Sequence, residues 1–159
     1  MSKAGDADPW RALREQAADR CFKLGSVFFW PQEKHFLMYL GPVAQSNSHS
    51  FCVMASSQPY WDTEHNFPIV PEDFRTANSA TKSRAFTKTT YFLFCQYTQH
   101  RYETGKLREL YLGAALEYRF NLKTDLSEAY GRLVTFMKAE LPKVYVDEFL
   151  SDRNTPPDE

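Results

Sequence analysis

The first half of the chain gathers its apolar residues into short unbroken runs, and the second half spaces them at three and four. Residues 24–30 form one run, entered through Gly25 and stopped by Pro31. Residues 35–40 form another, stopped by Gly41 and Pro42, and residues 50–55 a third, followed by Ser56, Ser57 and Pro59. Aromatic and β-branched runs bounded by Pro, Gly and Ser read as strands, with 31–34 as a hairpin turn. The longest such run is 83–97, which no Pro or Gly interrupts. From Thr89 to Tyr97 both of its faces are largely apolar, which predicts a strand buried on both sides at the centre of the sheet. Residues 67–70 read as a short edge strand because Pro68 lacks a backbone donor. Residues 72–80 read as a helical turn or a mobile loop.

Helical rhythm appears at both ends. Asp8 and Pro9 are a cap and a first-turn residue for a helix reaching about Arg20. Trp10, Leu13 and Ala17 share its apolar face, which predicts a lid lying on the rest. From Lys106 onward, Leu107, Leu110, Tyr111, Ala114, Ala115 and Tyr118 mark one continuous helix, broken at 121–123. Thr124 or Asp125 is expected to cap the next helix, with Glu128 completing a capping box. Leu126, Tyr130, Leu133, Val134, Met137 and Leu141 form its stripe, and Pro142 ends it. Residues 144–150 predict one more short helix.

Strands first and helices last predict an α+β fold, a small antiparallel barrel with an N-terminal helix and C-terminal helices packed at one side. The expected organisation is a disordered 1–8, a single domain over 9–150, and a disordered acidic tail over 151–159. At 159 residues the chain is long enough to bury a core without staples.

Charge changes this picture only locally. The formal net charge of −1 favours no particular partner. Yet from Phe74 to Tyr102 there is no Asp or Glu, while Arg75, Lys82, Arg84, Lys88 and Arg101 are present. Hydroxyl, amide and aromatic residues, Thr90 among them, lie between these cations. Cations neutralise phosphates, hydroxyls donate to them, and aromatic rings stack on bases, so the mixture suits the phosphate and ribose contacts of a polyanion surface. It also suits a solvated loop beside an ordinary strand.

The three cysteines, Cys21, Cys52 and Cys95, have no paired spacing and read as buried free thiols. No charged-then-apolar leader and no bilayer-length apolar run is present, so no membrane association and a cytoplasmic location are expected. His35, beside Lys34, opens the second strand. An imidazole is suited to proton transfer near neutrality. His49, His65 and His100 lack metal-ligand spacing, so neither a metal nor a cofactor is expected. Ser56 and Ser57 stand directly after the third strand, where hydroxyls cap turns or touch a phosphate. No phosphate-binding glycine loop, nucleophile elbow or C-x-x-C is present.

The order of these pieces resembles the MazF/PemK-like toxin superfamily. Phe22-Lys-Leu-Gly25-Ser-Val-Phe28 resembles its opening x-P-G-D-I/V strand. His35-Phe-Leu-Met-Tyr-Leu-Gly-Pro42 resembles its R-P-x-L-V-L run, and Phe51-Cys-Val-Met-Ala-Ser56-Ser57 its third strand ending in I-T-S. Phe86-Thr-Lys88-Thr-Thr90-Tyr91-Phe is similar to F-I-K-x-x-S-Y-V, and Gly105-Lys-Leu107 to the G-x-L element before its last helix. The resemblance covers about residues 22–141. It implies an SH3-like barrel, often a homodimer, that cleaves single-stranded RNA without metal and is neutralised by an antitoxin protein. The hydroxyl role would fall to Ser56 or Ser57. Where the family has a catalytic arginine this chain has Lys34 or His35, and Ser26 replaces the opening Asp. The insertion over 60–83 and the extended helical tail also depart from the compact family pattern. A non-catalytic barrel binding a protein, peptide or nucleic acid is the alternative reading of the same residues.

Overall fold

Strict alternation of polar and apolar residues is missing from the strands because helices cover both faces of the sheet. In this computed structural model the described residues are 8–43, 48–58, 65–94 and 101–157. The strands are β1 (Ser26–Trp30), β2 (His35–Pro42), β3 (His49–Ser56), β4 (Phe67–Ile69), β5 (Thr90–Phe92), β6 (Arg101–Glu103) and β7 (Glu117–Asn121). The helices are α1 (Pro9–Cys21), α2 (Ser79–Lys82), α3 (Thr104–Leu112), α4 (Leu122–Asp125), α5 (Ser127–Glu140) and α6 (Lys143–Phe149). Val27, Met38, Leu40, Val53 and Phe120 face one core with Leu133 and Met137 of α5 and Phe149 of α6. Phe28, Leu37, Tyr39 and Cys52 face the other with Ala18 of α1 and Leu107 and Tyr111 of α3. Every second residue of a strand points to the opposite side, so both sets are apolar.

All pairing is antiparallel, in the order β4-β5-β3-β2-β1-β7, with β6 also on β3. β3 is the hub. One edge of it pairs with β2 from Leu37↔Met54 to Pro42↔Ser50. Its other edge pairs with β6 at the start of the strand and with β5 at Ala55 and Ser56. Two partners on one edge split the sheet at its far side and curl it into a half-barrel with helices at both ends. Among the described residues no helix is long and apolar enough to cross a membrane.

Several expectations are corrected. The central strand over 89–97 is instead the three-residue β5, one place from the sheet edge, and residues 83–89 are not strand; 95–97 lie outside the described residues. β2 does not stop at Gly41 but continues through Pro42, with a register irregularity after Tyr39. Of the face expected for α1, Ala17 packs on the core beside buried Ala18 and Cys21, whereas Trp10 and Leu13 are exposed, so the helix is rotated from the orientation expected. The single helix through Tyr118 does not exist. α3 ends at Leu112, Ala114 takes a left-handed backbone (φ 65°), and β7 closes the sheet against β1. Neither Thr124 nor Asp125 caps α5, whose N-cap is Leu126 without a side-chain bond. Asn121 caps α4 instead, and Asp125 Oδ2 accepts its backbone N–H at 2.9 Å.

The acidic tail is not disordered over 151–157. Asn154 is buried, its Nδ2 donates to the carbonyls of Leu40 and Phe149, and its own carbonyl accepts from Leu24 N–H. Lys123 Nζ also donates to the Pro156 carbonyl. Other expectations hold: the 31–34 turn, Phe67–Ile69 at the edge, α5 ended before Pro142, and a short final helix. The region over 72–80 is a 3-10 turn, Pro71–Phe74, followed by the start of α2. The expected disorder of 1–8 falls, apart from Asp8, outside the described residues. Asp8 itself caps α1, its side chain accepting from Trp10 N–H.

Candidate functional site

Antiparallel pairing puts the first residue of β2 opposite the last of β3, and the chemistry expected from the sequence collects at that end. The hairpin from β1 returns through Lys34, whose left-handed backbone (φ 59°) closes the turn. That conformation costs a lysine about 1 kcal/mol. A cavity of about 380 Å³ opens there, lined by Lys34, His35 and Phe36 from the hairpin, by Ala55, Ser56 and Ser57 from the end of β3, and by Ala85 to Lys88 with Thr90 from the segment crossing in front. Its apolar wall is the ring pair Phe36–Phe86, with centroids 4.7 Å apart. Lys34, His35, Ser57, Thr87 and Lys88 are exposed, whereas Phe86 and Thr90 are buried. No carboxylate is among the described lining residues.

His35 is oriented by the backbone. Its Nδ1 lies 3.2 Å from the Ala55 carbonyl oxygen. A carbonyl only accepts, so this bond puts the proton on Nδ1 and leaves a lone pair on Nε2. Ser56 Oγ accepts from Gln58 N–H at 3.1 Å, which fixes the turn after β3. Thr90 Oγ1 donates to the Lys88 carbonyl at 3.3 Å and tethers the segment carrying that cation.

All four residues singled out for catalysis, Lys34, His35, Ser56 and Ser57, therefore border one cavity, together with Lys88 and Thr90. Arg75, Lys82 and Arg84 do not line it. Arg75 is exposed after the 3-10 turn, and Lys82 is exposed in the last turn of α2. Arg84 Nη1 donates to the Arg119 carbonyl at 2.9 Å, which carries it to β7. Lys34, His35 and Lys88 thus meet at one cavity, and Arg84 does not join them. Phe36 and Phe86 lie inside the strand-like runs of the sequence but carried no chemical signal of their own. Arg119 was hidden by the helical rhythm assigned to its segment.

Among the described residues no cluster of His, Cys, Asp or Glu is placed to hold a metal ion. Cys21 and Cys52 are free and buried, and burial pushes both thiols up, away from the thiolate a nucleophile needs. Cys95 and His100 lie outside the described residues. No protein-family model, curated protein or solved structure matches the chain.

Proposed function

We propose that this protein is a growth-inhibiting toxin of the MazF/PemK-like kind, with its half-barrel read as SH3-like, that cleaves single-stranded RNA without a metal and is neutralised by an antitoxin protein. The observation that carries the reading is the meeting of an oriented imidazole, two ammonium groups and four hydroxyl side chains in one open cavity with no carboxylate among its described lining residues. Phosphodiester cleavage by the neighbouring ribose needs a base, a source of positive charge and hydrogen-bond donors for the phosphate. His35 Nε2 takes the 2′-hydroxyl proton. The 2′-oxygen bonds to phosphorus, the bond to the 5′-oxygen breaks, and that oxygen is protonated from the side of Lys34 and Lys88. These ammonium groups offset the charge gathering on the phosphate, and Ser56 and Ser57 donate to its free oxygens. The products are a 2′,3′-cyclic phosphate and a 5′-hydroxyl. Lys82, Arg75 and Arg84 contribute to the wider RNA surface, and a homodimer would extend it further.

One observation favours the second reading, a non-catalytic binding barrel: no arginine lines the cavity, and a lysine cannot grip phosphate in the two-toothed manner of a guanidinium. End-labelled single-stranded RNA in excess chelator separates the two. Cleavage to cyclic-phosphate ends, slowed about 10²-fold or more by His35→Gln, is the expected result. Binding that weakens with salt but leaves the RNA intact would favour the binding module. Expression in a bacterial host should arrest growth for the wild type and not for His35→Gln.

A further inference from the structure

We infer that Phe29, Phe36 and Arg119 form a stacking platform beside the cavity, which makes the site selective for an unpaired base next to the phosphate it holds. This rests on the RNA reading above but uses residues outside the catalytic set. Phe29 and Phe36 are register partners across β1 and β2, with ring centroids 5.1 Å apart. Phe36 in turn meets Phe86 in the cavity wall, so the row of rings runs out of the cavity without a gap. The Arg119 guanidinium carbon lies 5.2 Å from the centre of the Phe29 ring and closes the row.

A bulge makes that contact. Phe28 pairs with Tyr118 and Val27 with Phe120, so Arg119 is the extra residue of β7. Such a residue is freed from the alternation of its strand and its side chain is re-aimed. Glu117 Oε1 holds the guanidinium from one side, with Nη2 at 3.1 Å. Arg119 Nε is buried without a hydrogen-bond partner, and Arg84 arrives on the Arg119 carbonyl. Two guanidinium groups therefore converge at the outer end of the aromatic row.

The rings are not ordinary core. Phe28 and Phe92 are fully buried, whereas Phe29 and Phe36 stay partly open at the strand ends. Bases stack on aromatic rings and on guanidinium planes, and nearby cations hold the phosphates between them. Strands lie about 4.8 Å apart, so from β2 across β1 to β7 the platform extends about 10 Å from the cavity edge. A paired base has both faces covered by its neighbours and cannot use such a surface.

Fluorescence-anisotropy binding of three probes tests this: a single-stranded RNA oligonucleotide, the same-length abasic oligoribonucleotide, and the RNA annealed to its complement. The expected result is about tenfold or greater preference for the single strand over both other probes. Phe29→Leu and Arg119→Lys, which keeps the charge but removes the guanidinium plane, should each remove that preference and leave abasic affinity within about twofold, and Phe29→Tyr should keep it. Circular dichroism establishes that each variant is folded, and Arg119→Lys, at a partly exposed position, decides the matter should Phe29→Leu not fold. Equal binding of abasic and base-bearing RNA, or equal loss of both in the variants, overturns the platform while leaving the RNA reading intact. Base preference that depends on Phe29 and Arg119, without any cleavage, supports the platform and defeats the catalytic reading. A wild type that binds none of the probes overturns both.

Discussion

Tyr39 ends a chain of hydroxyls running under α3: its OH lies 3.1 Å from Ser50 Oγ, which lies 2.7 Å from Thr104 Oγ1. Burial pushes the Tyr39 phenol from 10.0 up to about 12, only partly opposed by the Ser50 bond. The sign of its effect on stability follows from proton counting. Between these values the unfolded chain has released the phenolic proton and the folded one has kept it, so stability falls as pH rises. Tyr39's contribution is whole below pH 10 and is lost on the way to about 12. Thermal unfolding across this range should show a falling midpoint, and Tyr39→Phe should make the fall shallower; an unchanged slope would contradict the assignment. Tyr102, Tyr111 and Tyr118 are also raised by burial, so the slope should not vanish. At this scale the sequence was a good guide wherever chemistry sat beside a turn. Lys34, His35, Ser56 and Ser57 flank strand ends, and antiparallel pairing makes such ends neighbours. Arg75, Lys82 and Arg84 were grouped because they share a linear stretch free of acids. The chain folds that stretch into a 3-10 turn and a short helix, and none of these three cations lines the cavity.

Gly131 is exposed near the middle of α5, where a Cβ would meet nothing within 4 Å. Glycine there carries the entropy penalty of ordering its backbone without any packing reason for it. Gly131→Ala should raise stability by about 0.5–1 kcal/mol in urea unfolding, with RNA binding unchanged. A loss of stability would mean that the groove between Glu128 and Phe136 is filled in solution. The same helix shows why some elements were legible. Its buried Leu126, Leu133, Met137 and Leu141 keep one helical face over the whole element. β7 shows why others were not. Tyr118 fits a helical series begun by Leu107, yet Ala114 turns left-handed and Tyr118 becomes the partner of Phe28. Phe120 is needed against Phe74 and Phe86, with ring centroids 5.2 and 5.6 Å away. Tertiary packing of these rings outweighs the local period. β5 failed for the opposite reason. Its apolar run is long enough for a central strand, but it meets β3 only at Ala55 and Ser56, while β6 pairs with the start of that edge at His49 to Phe51.

Across the whole molecule, the last residues serve the fold and the opposite end of β2 serves the site. Asn154 bridges Leu40 and Phe149 through one amide nitrogen, with bonds of 2.7 and 2.8 Å. Its position explains Gly41, where a Cβ would stand 2.5 Å from Asn154 Nδ2 and 2.8 Å from Phe149 Cδ1, on a backbone (φ 152°) that side chains rarely adopt. The strand kinks open at Gly41 so that the tail can reach the Leu40 carbonyl beneath it. Composition alone marked this tail as disordered, because a single buried amide leaves no hydrophobic signature. Asn154→Ala leaves two carbonyls without their donor and should cost about 2–4 kcal/mol in urea unfolding. Gly41→Ala should cost a similar amount, and the double variant less than the sum, since each change disrupts the same contact. β2 rises about 3.4 Å per residue, so Leu40 and Gly41 lie about 17–20 Å from His35. At a temperature where Asn154→Ala remains folded, its RNA affinity should therefore match that of the wild type within about twofold, because none of its lost contacts reaches the cavity. A parallel fall in stability and in RNA binding would mean that the two ends of β2 move as one body, and that the tail helps hold His35 against Ala55.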